Sequence, residues 1–139
     1  MMSRIVKDPI SVLCFGDSLT WGFDPRDKSR YGHDIRWTRL LQNELGDGFY
    51  VVEDGVNGRT TVFEDPVRGD KNGLAHLATV RKTHMPIDIL IIMLGTNDMK
   101  PAIHGQAIAA KQGMGRLAAL VRNHDWTLGA ETPGVLLVA

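Results

Sequence analysis

A chain of 139 residues is the size of one domain. Lys plus Arg and Asp plus Glu each total 16, and the resulting zero net charge argues against nucleic acid or an anionic membrane as the main partner. The 43% hydrophobic content is that of a soluble globular protein, and a lone cysteine, Cys14, excludes an intrachain disulfide.

Met1–Ile10 carries Arg4, Lys7 and Asp8, and the apolar stretch after it is too short for a secretory leader. A cytoplasmic location is the default expectation. Ser11–Gly22 reads SVLCFGDSLTWG. Val12–Phe15 is a short apolar run bounded by glycine, which predicts a buried strand with Cys14 as a core residue. Gly16 breaks the strand, Asp17 and Ser18 follow at the turn, and Leu19–Trp21 begins a helix. A hydroxyl at this handover from strand to helix is presented at the rim of the sheet, where free N–H groups also point. Gly-Asp-Ser equally occurs in plain turns, where Asp or Ser caps a helix, and G-x-S-x-G is not met because Thr20 takes its last place. The tripeptide alone therefore decides nothing.

Phe23–Asp34 is a polar loop with Pro25 and six charged residues, long enough to suggest a place in a pocket rim. Ile35–Leu45 has helical spacing, with Trp37, Leu40, Leu41 and Leu45 on one face and Gly46 as the stop. Phe49–Val52 predicts a second strand. Asp54–Thr61 is a loop in which Asn57-Gly58 reads as a tight turn, or as a place where the Gly58 N–H comes close to a ligand. After an irregular Phe63–Gly73, a helix begins at Leu74 and must stop before Pro86. Ile87–Leu94 is nearly all apolar, which fits a parallel strand covered on both faces, and Gly95-Thr96-Asn97-Asp98 follows it directly. A helix over Gln106–Arg122 has Ala110, Met114, Leu117, Ala118 and Val121 as its buried stripe. Its two glycines, Gly113 and Gly115, each cost about 1 kcal/mol against alanine. Asp125–Pro133 is a loop, and Val135–Ala139 is a last apolar strand.

Strands alternating with helices predict an α/β domain with an open parallel sheet. Ligands bind such sheets outside the carboxyl ends of the strands. Gly16–Ser18, Asn57–Thr60 and Gly95–Asp98 each end a strand, so the fold brings them to one rim. For acyl transfer there, Ser18 is the candidate nucleophile. The N–H of Ser18, the N–H of Gly58 and the Asn97 side-chain amide are candidate oxyanion donors. Asp17 and Asp98 are placed to hold the loops through backbone N–H groups. Asp17, Trp21 and Arg59 are the candidate substrate-binding residues.

These blocks resemble the GDSL-type SGNH hydrolases: GDSL at Gly16–Leu19, Gly58 within NGRTT, and GTND at Gly95–Asp98. FGDSLTWG, Arg36-Trp37, GRTT and DILIIMLGTND are similar to the arylesterase and acyltransferase branch, and the resemblance runs from about Val12 to Ala139. It implies a flavodoxin-like three-layer α/β/α sandwich and hydrolysis of small esters through Ser18, with Gly58 and Asn97 as donors. It implies no metal or other cofactor, and acyl transfer to acceptors besides water. It also implies homo-oligomers whose neighbours narrow the pocket, and a place for Trp21 either at the acyl site or in the core.

The family's last block, Asp-x-x-His, is missing. None of His33, His76, His84, His104 and His124 has Asp three residues before it. His104 is the best substitute by position. The expectation is that these 139 residues are the N-terminal two-thirds or so of a longer domain, without its last strand and helix, or a shortened gene product. Two other readings stand beside the arylesterase: a carbohydrate deacetylase or thioesterase using the same residues, and a non-catalytic binding subunit that keeps the oxyanion donors without a base.

Overall fold

The computed structural model describes residues 8–123 and 131–139. Its elements are β1 (Ile10–Gly16), the single-turn α1 (Ser18–Trp21), β2 (Phe23–Asp24), β3 (Ser29–Arg30), α2 (Trp37–Leu45), β4 (Phe49–Gly55), α3 (Gly73–His84), β5 (Ile89–Met93), α4 (Ala107–Asn123) and β6 (Gly134–Val138). Short 3-10 turns lie at His33–Ile35 and Asn97–Met99. Four parallel strands form the main sheet in the order β4-β1-β5-β6, and β2 and β3 make a small antiparallel hairpin.

The apolar runs become two cores because each central strand is covered on both faces. Leu13 and Phe15 of β1 and Leu90 and Ile92 of β5 pack against Leu77 of α3 and Met114, Leu117 and Val121 of α4. Val12 and Cys14 of β1 and Val51 of β4 face the other way, onto Trp37, Leu41 and Leu45 of α2. Three layers result, as expected. Cys14 is fully buried, and burial pushes its thiol up to about 12, so it is a core residue and not a reactive one.

The second core has a polar margin that the helical spacing does not reveal. Leu40, placed on the apolar face of α2 by its spacing, is instead 50% exposed. Arg36 is extended, so α2 starts at Trp37, and Thr38 is the residue that turns under the helix. The Thr38 hydroxyl donates to Glu53 of β4 at 2.6 Å, and Arg36 pairs with the same carboxylate at 2.6 Å. Burial alone raises the Glu53 carboxyl, but the Thr38 and Arg36 hydrogen bonds and the charges of Arg36 and Arg39 outweigh it and hold it low. In α4 the buried stripe runs through Ala109 and Gly113, with Ala110 half-exposed. Gly113 sits there because any side chain would strike Thr61. The glycine that costs helix propensity is thus required by the neighbouring loop.

The register sets the site. Gly16 of β1 lies opposite Gly55 of β4 on one side and Met93 of β5 on the other. The three strands therefore end level, and their following loops start from one line. β1 and β5 flank the point where the strand order reverses, the usual crevice of an open α/β sheet. β6 lies at the sheet edge, with Leu136 and Leu137 exposed. Beside it an apolar cavity of about 630 Å³ is lined by Leu94, Met99, Met114 and Leu137.

Candidate active site

Ser18 is the first residue of α1, one residue past the Gly16-Asp17 step out of β1. Asp17 caps the turn, accepting the Leu19 N–H at 3.0 Å. The turn packs so tightly on the sheet that a Cβ on Gly55 would lie 2.3 Å from the Trp21 nitrogen. Glycine is needed there for close approach, and that approach fixes where Ser18 stands. Ser18 is half-buried, and neither its hydroxyl nor its N–H has a hydrogen-bond partner among the described residues.

The second loop is the expected tight turn. The Arg59 N–H donates to the Val56 carbonyl at 3.0 Å, and Gly58 has φ +80°, a conformation that strongly favours glycine. The Gly58 N–H donates to no group among the described residues. In the third loop Asn97 and Asp98 are both buried. Asp98 accepts the Thr61 N–H at 2.9 Å and the Thr61 hydroxyl at 2.5 Å, which clamps the third loop to the second. The Asn97 amide nitrogen donates to the Arg59 carbonyl at 3.0 Å and lies 3.4 Å from the Asp17 carboxylate. One amide thus touches the loops that carry Ser18 and Gly58. A cavity of about 420 Å³ at this rim is lined by Ser18, Gly58 and Asn97 together with Asn57, Phe23, Arg68, Lys71 and Lys100. The convergence expected of the three strand ends is present.

The model of the GDSL-like lipase/acylhydrolase family matches residues 14–138. The chain belongs to this family.

A carbohydrate acetylesterase family member from Sinorhizobium meliloti superposes on this GDSL-like chain with a TM-score of 0.88 and 47% identity, over 92% of this chain and 61% of its own. The aryl esterase of M. smegmatis gives 0.86 and 40%, over 92% and 62%. An acetylxylan esterase of Xylanibacter ruminicola is 36% identical over 95 residues, which are 68% of this chain and 18% of the relative. The chain thus spans about three-fifths of the length of the solved structures it matches.

Within this GDSL-like site, none of the three candidate substrate-binding residues lines the cavity, while Asp17 holds its loop through a backbone N–H as also expected. Arg59 is 3% exposed and points back into the sheet. Its guanidinium donates to the Gly16 carbonyl at 3.1 Å and to the Asp54 carbonyl and carboxylate at 2.9 Å each, and lies 4.0 Å from the Phe15 ring centre. It ties the ends of β1 and β4 together. Burial lowers its basicity, against the pull of Asp54. Asp17 is 2% exposed and is committed to Leu19 and Asn97; burial raises its carboxyl above the usual range, more than its hydrogen bonds and the charges of Arg59 and Lys100 lower it. Trp21 does not line the Ser18 cavity, and the Arg30 guanidinium covers its ring at 4.7 Å.

The residues missed from sequence are Phe23, Arg68, Lys71 and Lys100. Phe23 belongs to the loop that was expected at the pocket rim, which folds into the β2–β3 hairpin. The usable signal for Lys100 is its place three residues after Asn97. None of the described histidines lines the cavity. His33 is exposed beside Asp34, and His104 is exposed with its ring tilted against Phe63, the centres 5.3 Å apart. His76 and His84, on α3, are half-buried, and His124 lies outside the described residues. Among the described residues no group of three His, Cys, Asp or Glu side chains is arranged to hold a metal, and no helix is long and apolar enough to cross a membrane.

Proposed function

We propose that this chain carries the nucleophile and oxyanion donors of a serine esterase or acyltransferase acting on small acyl esters. The observation that supports it most is the meeting of Ser18, Gly58 and Asn97, from three separate loops, around one cavity in which two backbone N–H groups have no partner among the described residues. The Ser18 oxygen forms a bond to the ester carbonyl carbon, and the carbonyl oxygen becomes an anion facing the Ser18 and Gly58 N–H groups and the Asn97 amide. The ester C–O bond then breaks, the alcohol leaves with a proton, and water or another acceptor takes the acyl group from Ser18. The cavity, about 420 Å³, has room for a small ester. Relatives named for carbohydrate and xylan acetates support an acetyl group, and one named for aryl esters supports an aryl alcohol, so aryl and sugar acetates are the substrates of this reading. Homo-oligomers and a cytoplasmic setting belong to the same reading.

Asn97 gives one N–H to the Arg59 carbonyl, so its oxyanion role uses the other, which exchanges its long 3.4 Å contact with Asp17 for the anion. Asn97→Ala is expected to lower kcat on 4-nitrophenyl acetate by roughly 10²–10³, the effect of one lost oxyanion donor. The effect is expected to persist at the low basal rate of a chain in which no described histidine stands against Ser18, because the residual rate of a disabled serine hydrolase comes from its oxyanion hole. An unchanged kcat would remove Asn97 from that role. The absence of a described histidine beside Ser18 favours one other reading, a binding subunit that keeps the donors without turnover. A folded sample in which a fluorophosphonate fails to modify Ser18 would support that subunit.

A further inference from the structure

The cavity wall has a charge pattern that ester hydrolysis does not require. Arg68, Lys71 and Lys100 line it, and no carboxylate does. The protein as a whole is neutral, so this is a local excess of positive charge. None of the three cations forms an ion pair with a carboxylate among the described residues. The acids that feel them form no ion pair with them. Asp65 accepts the N–H groups of Val67 and Arg68 at 2.8 and 3.0 Å, and Asp17 is buried on Leu19 and Asn97.

The cations are held by the same loops that build the site. The Lys71 carbonyl accepts the Thr60 N–H at 2.8 Å, one residue past Arg59 and two past Gly58. The Lys71 stem lies 3.5 Å, and its ammonium 3.9 Å, from where a Cβ on Gly58 would stand. Lys100 donates its N–H to the Asn97 carbonyl at 3.2 Å, at the end of the 3-10 turn that carries Asn97. A ligand whose reacting carbonyl sits between Ser18 and Gly58 is therefore a few ångströms from Lys71.

We propose that this cavity selects esters that carry a carboxylate close to the ester bond, recognised by Arg68, Lys71 and Lys100. The proposal rests on Ser18 marking the reacting end of the cavity. The charge enters with either half of the ester, on the alcohol side or on the acyl side, and the chemistry of recognition is the same. Exposed cations in a concave site raise the local concentration of an anion, and salt screens the effect.

Uncleavable amide analogues test it by equilibrium binding, which needs no turnover. 4-Acetamidobenzoate carries the charge on the leaving-group side and N-phenylsuccinamate on the acyl side; their primary carboxamides are the neutral partners. At low ionic strength one of the two acids is expected to bind about tenfold more tightly than its carboxamide. That preference is expected to shrink several-fold at about 0.5 M salt and to vanish in Arg68→Gln/Lys71→Gln/Lys100→Gln. The acid that shows it identifies which half carries the charge. Equal binding of acid and carboxamide in both pairs overturns the proposal, as does a preference that survives the triple substitution in a variant with an unchanged circular dichroism spectrum. Fluorophosphonate labelling of Ser18 on the same sample separates the two readings. Labelling without acid preference sinks only the carboxylate proposal, and acid preference without labelling, in a protein where a histidine stands against Ser18, sinks only the esterase.

Discussion

Ser18→Ala is expected to lower kcat on aryl acetates about 10⁶-fold in a protein where a histidine base stands against Ser18, and far less in the 139-residue chain by itself. The reason is that nucleophile and base act as one unit. In another serine hydrolase, loss of serine or histidine alone costs about as much as loss of the whole triad. No described histidine lines the Ser18 cavity, so the isolated chain is expected to work near that floor. On the proposed reading its remaining rate comes from the donors around Gly58 and Asn97, which Ser18→Ala leaves in place. Steady-state hydrolysis of 4-nitrophenyl acetate by the isolated chain, with and without the substitution, checks this. A large drop in the isolated chain would mean that a base other than the described histidines activates Ser18.

Gly55→Ala is expected to destabilise the fold by about 3 kcal/mol or more and to lower Tm by roughly 10 °C. A methyl group there would stand 2.3 Å from the Trp21 nitrogen and 2.8 Å from the Thr20 carbonyl carbon. Both are backbone atoms, so no side chain can rotate to make room. Either β4 moves off β1, breaking the pairing of Gly16 with Gly55, or α1 moves and takes Ser18 away from Gly58. Thermal unfolding followed by circular dichroism measures the loss. A Tm within 2 °C or so of the parent would show that α1 is free to shift, contrary to the packing described.

The positions of Ser18, Gly58 and Asn97 were legible because each follows an apolar strand and sits in a loop rich in glycine and short polar residues. Strand order then does the rest, since parallel strands that end level place their loops side by side. Directions of long side chains were not legible. Arg59, one residue after Gly58, has the composition of a substrate-binding residue. It turns inward because three oxygens at the ends of β1 and β4, two of them backbone carbonyls, converge on it. Asp17 is likewise drawn into the cap of α1. Arg68 and Lys71 lie in an irregular stretch with no periodicity, and the pairing of Thr60 with Asn72 brings them back to the site. Leu40 misled because hydrophobic spacing does not register Thr38, whose bond to Glu53 takes the place beneath the helix.

The most direct measurement is a crystal structure of the chain after reaction with a small fluorophosphonate. The phosphorus should be bonded to the Ser18 oxygen. Its phosphoryl oxygen should lie within about 2.7–3.1 Å of the Ser18 nitrogen, the Gly58 nitrogen and the Asn97 Nδ2. A phosphoryl oxygen turned away from Gly58 and Asn97, or an adduct on any residue other than Ser18, would contradict the account.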